Sequence, residues 1–139
     1  MPSTLLARLR RFVQAPRFAA GMDRAYRAAE AGDWGQVVRI LGRLHGRGLV
    51  TPTSRHWLGL AYLQLERWQD ALDEYEQIRG PLPEHDAEAR RIVNHAIARF
   101  ELGQRTECAR LLKEKISNDW PVKEVQRAKR LLAEIEAEQ

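Results

Sequence analysis

Residues 55–75 read RHWLGLAYLQLERWQDALDEY. Apolar residues recur at three- and four-residue spacing on both sides of a polar break at Glu66-Arg67. That pattern predicts two amphipathic helices joined by a tight turn, the first over 52–65 and the second over 68–79. Thr51 can cap the first helix, and Pro52 suits its first turn, where a missing N–H costs nothing. Gly80-Pro81-Leu82-Pro83 ends the second.

This unit has counterparts on both sides. Trp34 and Trp68 lie 34 residues apart, as do Ala25 and Gly59, Val37 and Ala71, and Leu41 and Tyr75. A third copy places Ala96, Cys108 and Leu112 at matching positions after three extra residues, which fall in the loop around His85-Asp86 or form an extra half-turn at the start of the helix. The small residues Ala25, Gly59 and Ala96 are read as the close crossing of the two helices. Val37, Ala71 and Cys108 are their compact partners, and Leu41, Tyr75 and Leu112 are the large knobs between them.

The first hairpin is predicted as helix 17–31, a Gly32-Asp33 turn, and a helix from Trp34 to about His45. The third is predicted as helix 84–102, a turn at Gly103, and helix 105–117. A last helix over about 121–137 is expected to bury Val122, Val125, Leu131, Leu132 and Ile135, with Lys123, Arg127, Arg130, Glu134 and Glu138 facing solvent. Strand signals are almost absent, so the fold class is all-α. The organisation is residues 1–16, then hairpins at about 18–51, 52–85 and 86–121 within 17–121, then a capping helix over 122–139.

The spacing of Leu58-Gly59, Tyr62, Ala71, Tyr75 and Pro83 resembles the tetratricopeptide repeat, a helix–turn–helix unit of about 34 residues. The resemblance covers roughly residues 18–122. It departs from the family where Arg55 stands for a frequent Trp, where Arg24 and His95 stand for Leu, and where Ala28 and Arg99 replace the aromatic of Tyr62. The resemblance implies an α-α superhelix, a solenoid of three hairpins with a concave groove lined by the first helix of each. Carried over residue by residue, the groove sites are Met22 and Tyr26, then His56, Leu60, Leu63 and Gln64 with Trp57 beside them. In the third hairpin they are Arg90, Val93, Asn94, Ile97 and Glu101, with Phe100 deeper. Some members clamp a partner's C-terminal carboxylate with Lys, Asn and Arg. Met22, Tyr26, Trp57, Arg90 and Asn94 hold those places here, and only Arg90 fits, so no such clamp is expected. The implied partner is a peptide segment or amphipathic helix of another protein, which is the work of an adaptor or chaperone-like module rather than an enzyme.

The charge is unevenly placed. Arg8, Arg10, Arg11 and Arg17 precede the first acidic residue, Asp23, and account for the whole net charge of +4. The remaining chain is neutral, which argues against nucleic acid as a partner for the repeats. Residues 4–14 read as a basic amphipathic helix that Pro16 breaks or kinks, with Leu5, Leu6, Leu9, Phe12 and Val13 on its apolar side. Three roles fit it. It covers the first hairpin, it lies on an anionic membrane through Arg8, Arg10, Arg11 and Phe12, or it is a cleaved targeting segment. Docking into the groove of this or another copy is a further use of the same helix.

Other chemistry is excluded by what the motifs lack. Cys108 is the sole cysteine, so no internal disulfide forms, and its small core site reads as an inert buried thiol. None of His45, His56, His85 and His95 forms a zinc-type pair, and His85-Asp86 with Glu88 reads as a solvated turn. No phosphate-binding glycine loop or nucleophile elbow is present. No cofactor or metal is expected. A cytoplasmic setting, with a membrane surface as an alternative, fits the absence of a secretory signal or a long apolar run.

Overall fold

A computed structural model describes the backbone of residues 5–139 and, apart from 6–14, their side chains. The contacts expected of Arg8, Arg10, Arg11 and Phe12 lie outside the described residues. Among the described residues every regular element is helical: α1 (Leu5–Glu30), α2 (Trp34–Gly46), α3 (Pro52–Gln64), α4 (Trp68–Glu76), α5 (His85–Glu101), α6 (Arg105–Lys115) and α7 (Val122–Ala137). Each helix packs on the next, so α1–α2, α3–α4 and α5–α6 form hairpins stacked in chain order. The odd-numbered helices also meet one another, α3 with α5 and α5 with α7.

The hairpins close through one backbone device used three times. Gly32, Glu66 and Gly103 all adopt left-handed φ angles of 72°, 58° and 79°. At each, two N–H groups fold back onto the helix just ended. Gly32 donates to the Ala29 carbonyl and Asp33 to Ala28, Glu66 to Leu63 and Arg67 to Tyr62, Gly103 to Phe100 and Gln104 to Arg99. This satisfies carbonyls that the helix end would otherwise leave unpaired. Glu66 does so against its Cβ, which glycine would not carry. Its neighbour Arg67 lies over the Tyr62 ring at 4.7 Å and pairs with Asp70 at 2.8 Å. The following helix is capped by a side chain only in the first hairpin, where the Asp33 carboxylate accepts from the Gln36 N–H at 3.1 Å.

The start of α3 is fixed more firmly. Thr51 Oγ1 accepts from the Ser54 N–H at 3.0 Å and Ser54 Oγ accepts from the Thr51 N–H at 2.9 Å, a reciprocal capping box. Ser54 Oγ also donates to the Thr51 carbonyl and lies 2.8 Å from His45 Nε2. The hydroxyl's only proton is thereby used, so His45 is assigned as the Nε2–H tautomer, donating to Ser54.

The nine positions matched across the hairpins are all interior: Ala25, Gly59 and Ala96, Val37, Ala71 and Cys108, Leu41, Tyr75 and Leu112. Of these nine, Gly59 marks a close helix crossing. A Cβ there would lie 2.8 Å from Tyr75 Cζ, so α3 and α4 meet at a distance only glycine permits. The core is continuous along the stack in three groups, around α1–α2–α3, around α4 with α3 and α5, and around α5–α6–α7.

Two expectations are corrected. α1 does not stop at Pro16 but runs through it to Glu30. A proline at that point removes one N–H and costs about 3 kcal/mol in a helix interior. Ala15, Pro16 and Arg17 are exposed, so water can serve the carbonyl left without a partner. On α7, Val122 is 72% exposed, whereas Glu124, at 3%, Ala128, Leu131 and Ile135 form the buried stripe. The stripe starts two residues later than the apolar residues indicate because the carboxylate of Glu124 is neutralised from both sides. Arg127 donates to it at 2.7 Å and Arg90 lies 3.8 Å away.

Candidate cleft between the first, third and fifth helices

A cavity of about 680 Å³ opens where α1, α3 and α5 converge. Its size falls in the range of about 300–1,000 Å³ typical of sites that enclose a small ligand or a few side chains. α1 supplies Tyr26 and Glu30 from its last turns. Trp34 comes from the first turn of α2. α3 contributes Thr53, His56, Trp57 and Leu60 along one face. The segment before α5 closes the far wall with Leu82, Pro83 and Glu84, and α5 itself adds Ala87 and Arg90.

The aromatic side chains hold one another in place. Tyr26 and Trp57 meet edge to face with centroids 5.1 Å apart, which fixes the contact between α1 and α3. His56 lies behind Trp57, 6.1 Å between centroids, and touches Tyr75 at 6.3 Å. Tyr75 in turn stacks on His95 at 5.8 Å. The cleft floor therefore continues inward as a row of polar rings.

The electrostatics follow from burial. His56 is 2% exposed, and neither ring nitrogen has a hydrogen-bond partner. Burial, aided by Arg90 and Arg91 and opposed by Glu88, lowers its imidazole to about 4, so it is neutral at neutral pH. Burial raises the Tyr26 phenol, and the Glu84 carboxylate adds to the rise. The rim carries Glu30, Glu84 and Arg90, all exposed. Arg90 is already directed to the buried Glu124, whereas Glu30 and Glu84 form no ion pair among the described residues. The loop wall is held by Glu88, whose carboxylate accepts from the Leu82 N–H and from Arg91.

The structure sorts the residues expected from the sequence. Tyr26, His56, Trp57, Leu60 and Arg90 line the cleft together. Met22, Leu63 and Val93 do not. They are core residues, because the helix faces that carry them turn toward the paired helix. Asn94 is also interior, and its carbonyl oxygen accepts from Arg127 at 2.8 Å, tying α5 to α7. Ile97 is half-buried between two core groups, and Phe100 lies under the Arg105 guanidinium at 3.8 Å. Gln64 and Glu101 are exposed but stand outside the cavity.

Glu30, Trp34 and the wall from Leu82 to Glu84 were not foreseen. For the wall a signal existed, since the three-residue break in the repeat register falls beside it. Trp34 matches Trp68 in register, yet Trp34 lines the cleft and Trp68 packs against the middle core. Register alone does not distinguish them.

Among the described residues no group of three His, Cys, Asp or Glu side chains is arranged to hold a metal ion, and no helix is long and apolar enough to cross a membrane. Burial pushes the Cys108 thiol up to about 11, which removes its nucleophilic form at neutral pH. No protein-family model matches this chain, and no curated protein matches it.

Proposed function

We propose that this protein is a non-enzymatic interaction module that holds a segment of another polypeptide in the cleft between α1, α3 and α5. The observation that carries the reading is the cleft wall itself. Tyr26, Trp34, Trp57 and Leu60 present half-buried apolar surface at a concave site, backed by residues that a packed core keeps rigid. Aromatic anchors around a pocket are the features that give a few side chains most of the binding energy. The three hairpins are read as degenerate copies of the tetratricopeptide unit. Support comes from the nine interior positions in register and from the left-handed turns at Gly32, Glu66 and Gly103, spaced as the three-residue insertion requires.

The test is selection of binding peptides from a random displayed library against the intact protein, followed by calorimetry with Trp57→Ala and Leu60→Ala. Each truncation is expected to weaken binding by about five- to thirtyfold, corresponding to roughly 1–2 kcal/mol. Unchanged affinity in variants that retain helical circular dichroism would refute the cleft as the binding surface.

A further inference from the structure

We infer that the occupant of the cleft is the arginine-bearing N-terminal segment of a second copy of this chain. The inference rests on the cleft being a polypeptide-binding site and names the chemistry of what enters it.

Two observations support it. The first is charge. Three aromatic residues, Tyr26, Trp34 and Trp57, line a cavity whose rim carries the carboxylates of Glu30 and Glu84. Aromatic faces attract a guanidinium through their quadrupole, and nearby carboxylates add a charge-assisted partner. His56 beneath them is neutral at neutral pH and adds no repulsion. Arg90, the cleft's own cation, is directed to Glu124. A cationic side chain is the complement of this site. The chain contains a matching segment: Arg8, Arg10 and Arg11, with no acidic residue before Asp23.

The second observation is that a chain cannot fill its own cleft in this fold. α1 is one helix from Leu5 to Glu30. Arg8 and Tyr26 are 18 residues apart on it, and at 1.5 Å per residue that is about 27 Å along the axis. The arginines sit at the opposite end of the helix from the cleft. α1, with 26 residues, is also twice as long as its partner α2, with 13. Of its described side chains, Phe18 is the first to join the core, while Leu5, at 73%, and Ala15 to Arg17 are exposed. The overhang can therefore reach another molecule without unfolding anything. Reciprocal exchange of two overhangs closes a pair, and one-way docking gives an open chain.

Sedimentation equilibrium of the full chain from about 1 to 100 µM brackets a micromolar dissociation constant. The test adds two charge-reversed full-length proteins, Arg8→Glu/Arg10→Glu/Arg11→Glu and Glu30→Lys/Glu84→Lys. Both sets lie at charged surface or overhang positions and leave the core residues unchanged. The wild type is expected to self-associate, more weakly at high salt. Each reversed protein alone should associate at least about tenfold more weakly. Their equimolar mixture should regain association, because every arm then faces a cleft of opposite charge. A wild type that stays monomeric, association unmoved by the cleft reversal, or a mixture that does not recover would each overturn the inference. So would a monomer whose N-terminal arginines bind anionic vesicles instead. If a library-selected peptide still binds the cleft of such a monomer, the polypeptide-binding reading stands and only the second-copy assignment falls. If no peptide binds, both fall.

Discussion

The layer formed by α5, α6 and α7 and the layer around α4 are built from different materials. The first is mainly apolar, with Ile92, Val93, Leu112, Trp120, Leu131 and Ile135 closing around the inert thiol of Cys108, and its buried carboxylate, Glu124, is paired with Arg127 and Arg90. The second centres on Tyr75, flanked by His56, His95 and Asn94. The Tyr75 hydroxyl and the Asn94 amide are hydrogen-bond neighbours, whereas both nitrogens of His56 and Nε2 of His95 are buried without a hydrogen-bond partner among the described residues. An unpartnered buried polar group costs about 1–3 kcal/mol. The unpartnered histidine nitrogens are therefore expected to make the middle layer the less stable of the two per buried residue. It is also the layer on which the cleft rests. The part of the chain where the repeat pattern is clearest in sequence is the part least satisfied in structure.

Four measurements break or sharpen that contrast. Leu112→Ala, in the apolar layer, is expected to cost about 2–5 kcal/mol in urea unfolding, since Leu112 is fully enclosed. A loss under 1 kcal/mol would mean that the outer layer is not the stable one.

Acid should act on the middle layer. Burial holds His56 and His95 at about 4 when folded, against 6.5 when unfolded. The folded state favours the neutral rings, so their contribution is intact above pH 6.5 and declines as pH falls toward 4. In that window each histidine lowers stability by about 1.4 kcal/mol per pH unit. Double replacement, His56→Leu with His95→Leu, should flatten most of that slope. A slope unchanged in the double variant would assign acid sensitivity elsewhere, His45 being the next histidine lowered by burial.

Gly59→Ala tests the close crossing within the middle layer. Alanine gains about 1 kcal/mol of helix propensity, but its Cβ would meet the enclosed Tyr75 ring at 2.8 Å. Overpacking of about 1–3 kcal/mol should win, because His95 stacked on the ring prevents it from yielding. Thermal unfolding reads the sign directly, and a raised midpoint would show that α3 and α4 can part at no cost.

The smallest effect is expected at the turn. Glu66→Gly relieves a left-handed conformation that glycine already occupies in the flanking hairpins and should stabilise by about 0.5–1 kcal/mol. Destabilisation would indicate that the Glu66 side chain has a role the geometry does not display.

Much of this architecture was legible before the structure. Periodicity and the turn residues locate α2 to α7 but divide α1 in two at Pro16, and the repeat register, with its three-residue insertion, identifies nine interior positions. Legibility failed where a polar residue took an apolar place. Glu124 is acidic and yet buried, because Arg90 reaches it from α5 while Arg127, one turn along α7, pairs with it from the other side. The Glu124–Arg127 spacing is local, but no local pattern contains the approach of Arg90. Pro16 signals a break or a kink because its local cost is certain, whereas the exposure that makes the cost tolerable is a property of the assembled fold. In the cleft, helix-borne residues such as Tyr26, Trp57 and Leu60 are among the sites that the tetratricopeptide resemblance implies. Leu82, Pro83 and Glu84 lie in an irregular segment whose path depends on the Leu82 N–H reaching Glu88.

The distribution of the four tryptophans gives the molecule its own optical readout. Trp34 and Trp57 stand on the cleft wall, Trp68 is half-buried against the middle core, and Trp120 is enclosed in the outer one. Each region therefore has an indole of its own, half-buried in the first two and enclosed in the third. Emission from the first two responds to whatever fills the cleft, and emission from Trp120 stays blue until the last layer opens. Replacing them one at a time with phenylalanine would turn a single unlabelled fluorescence trace into a record of which layer has changed.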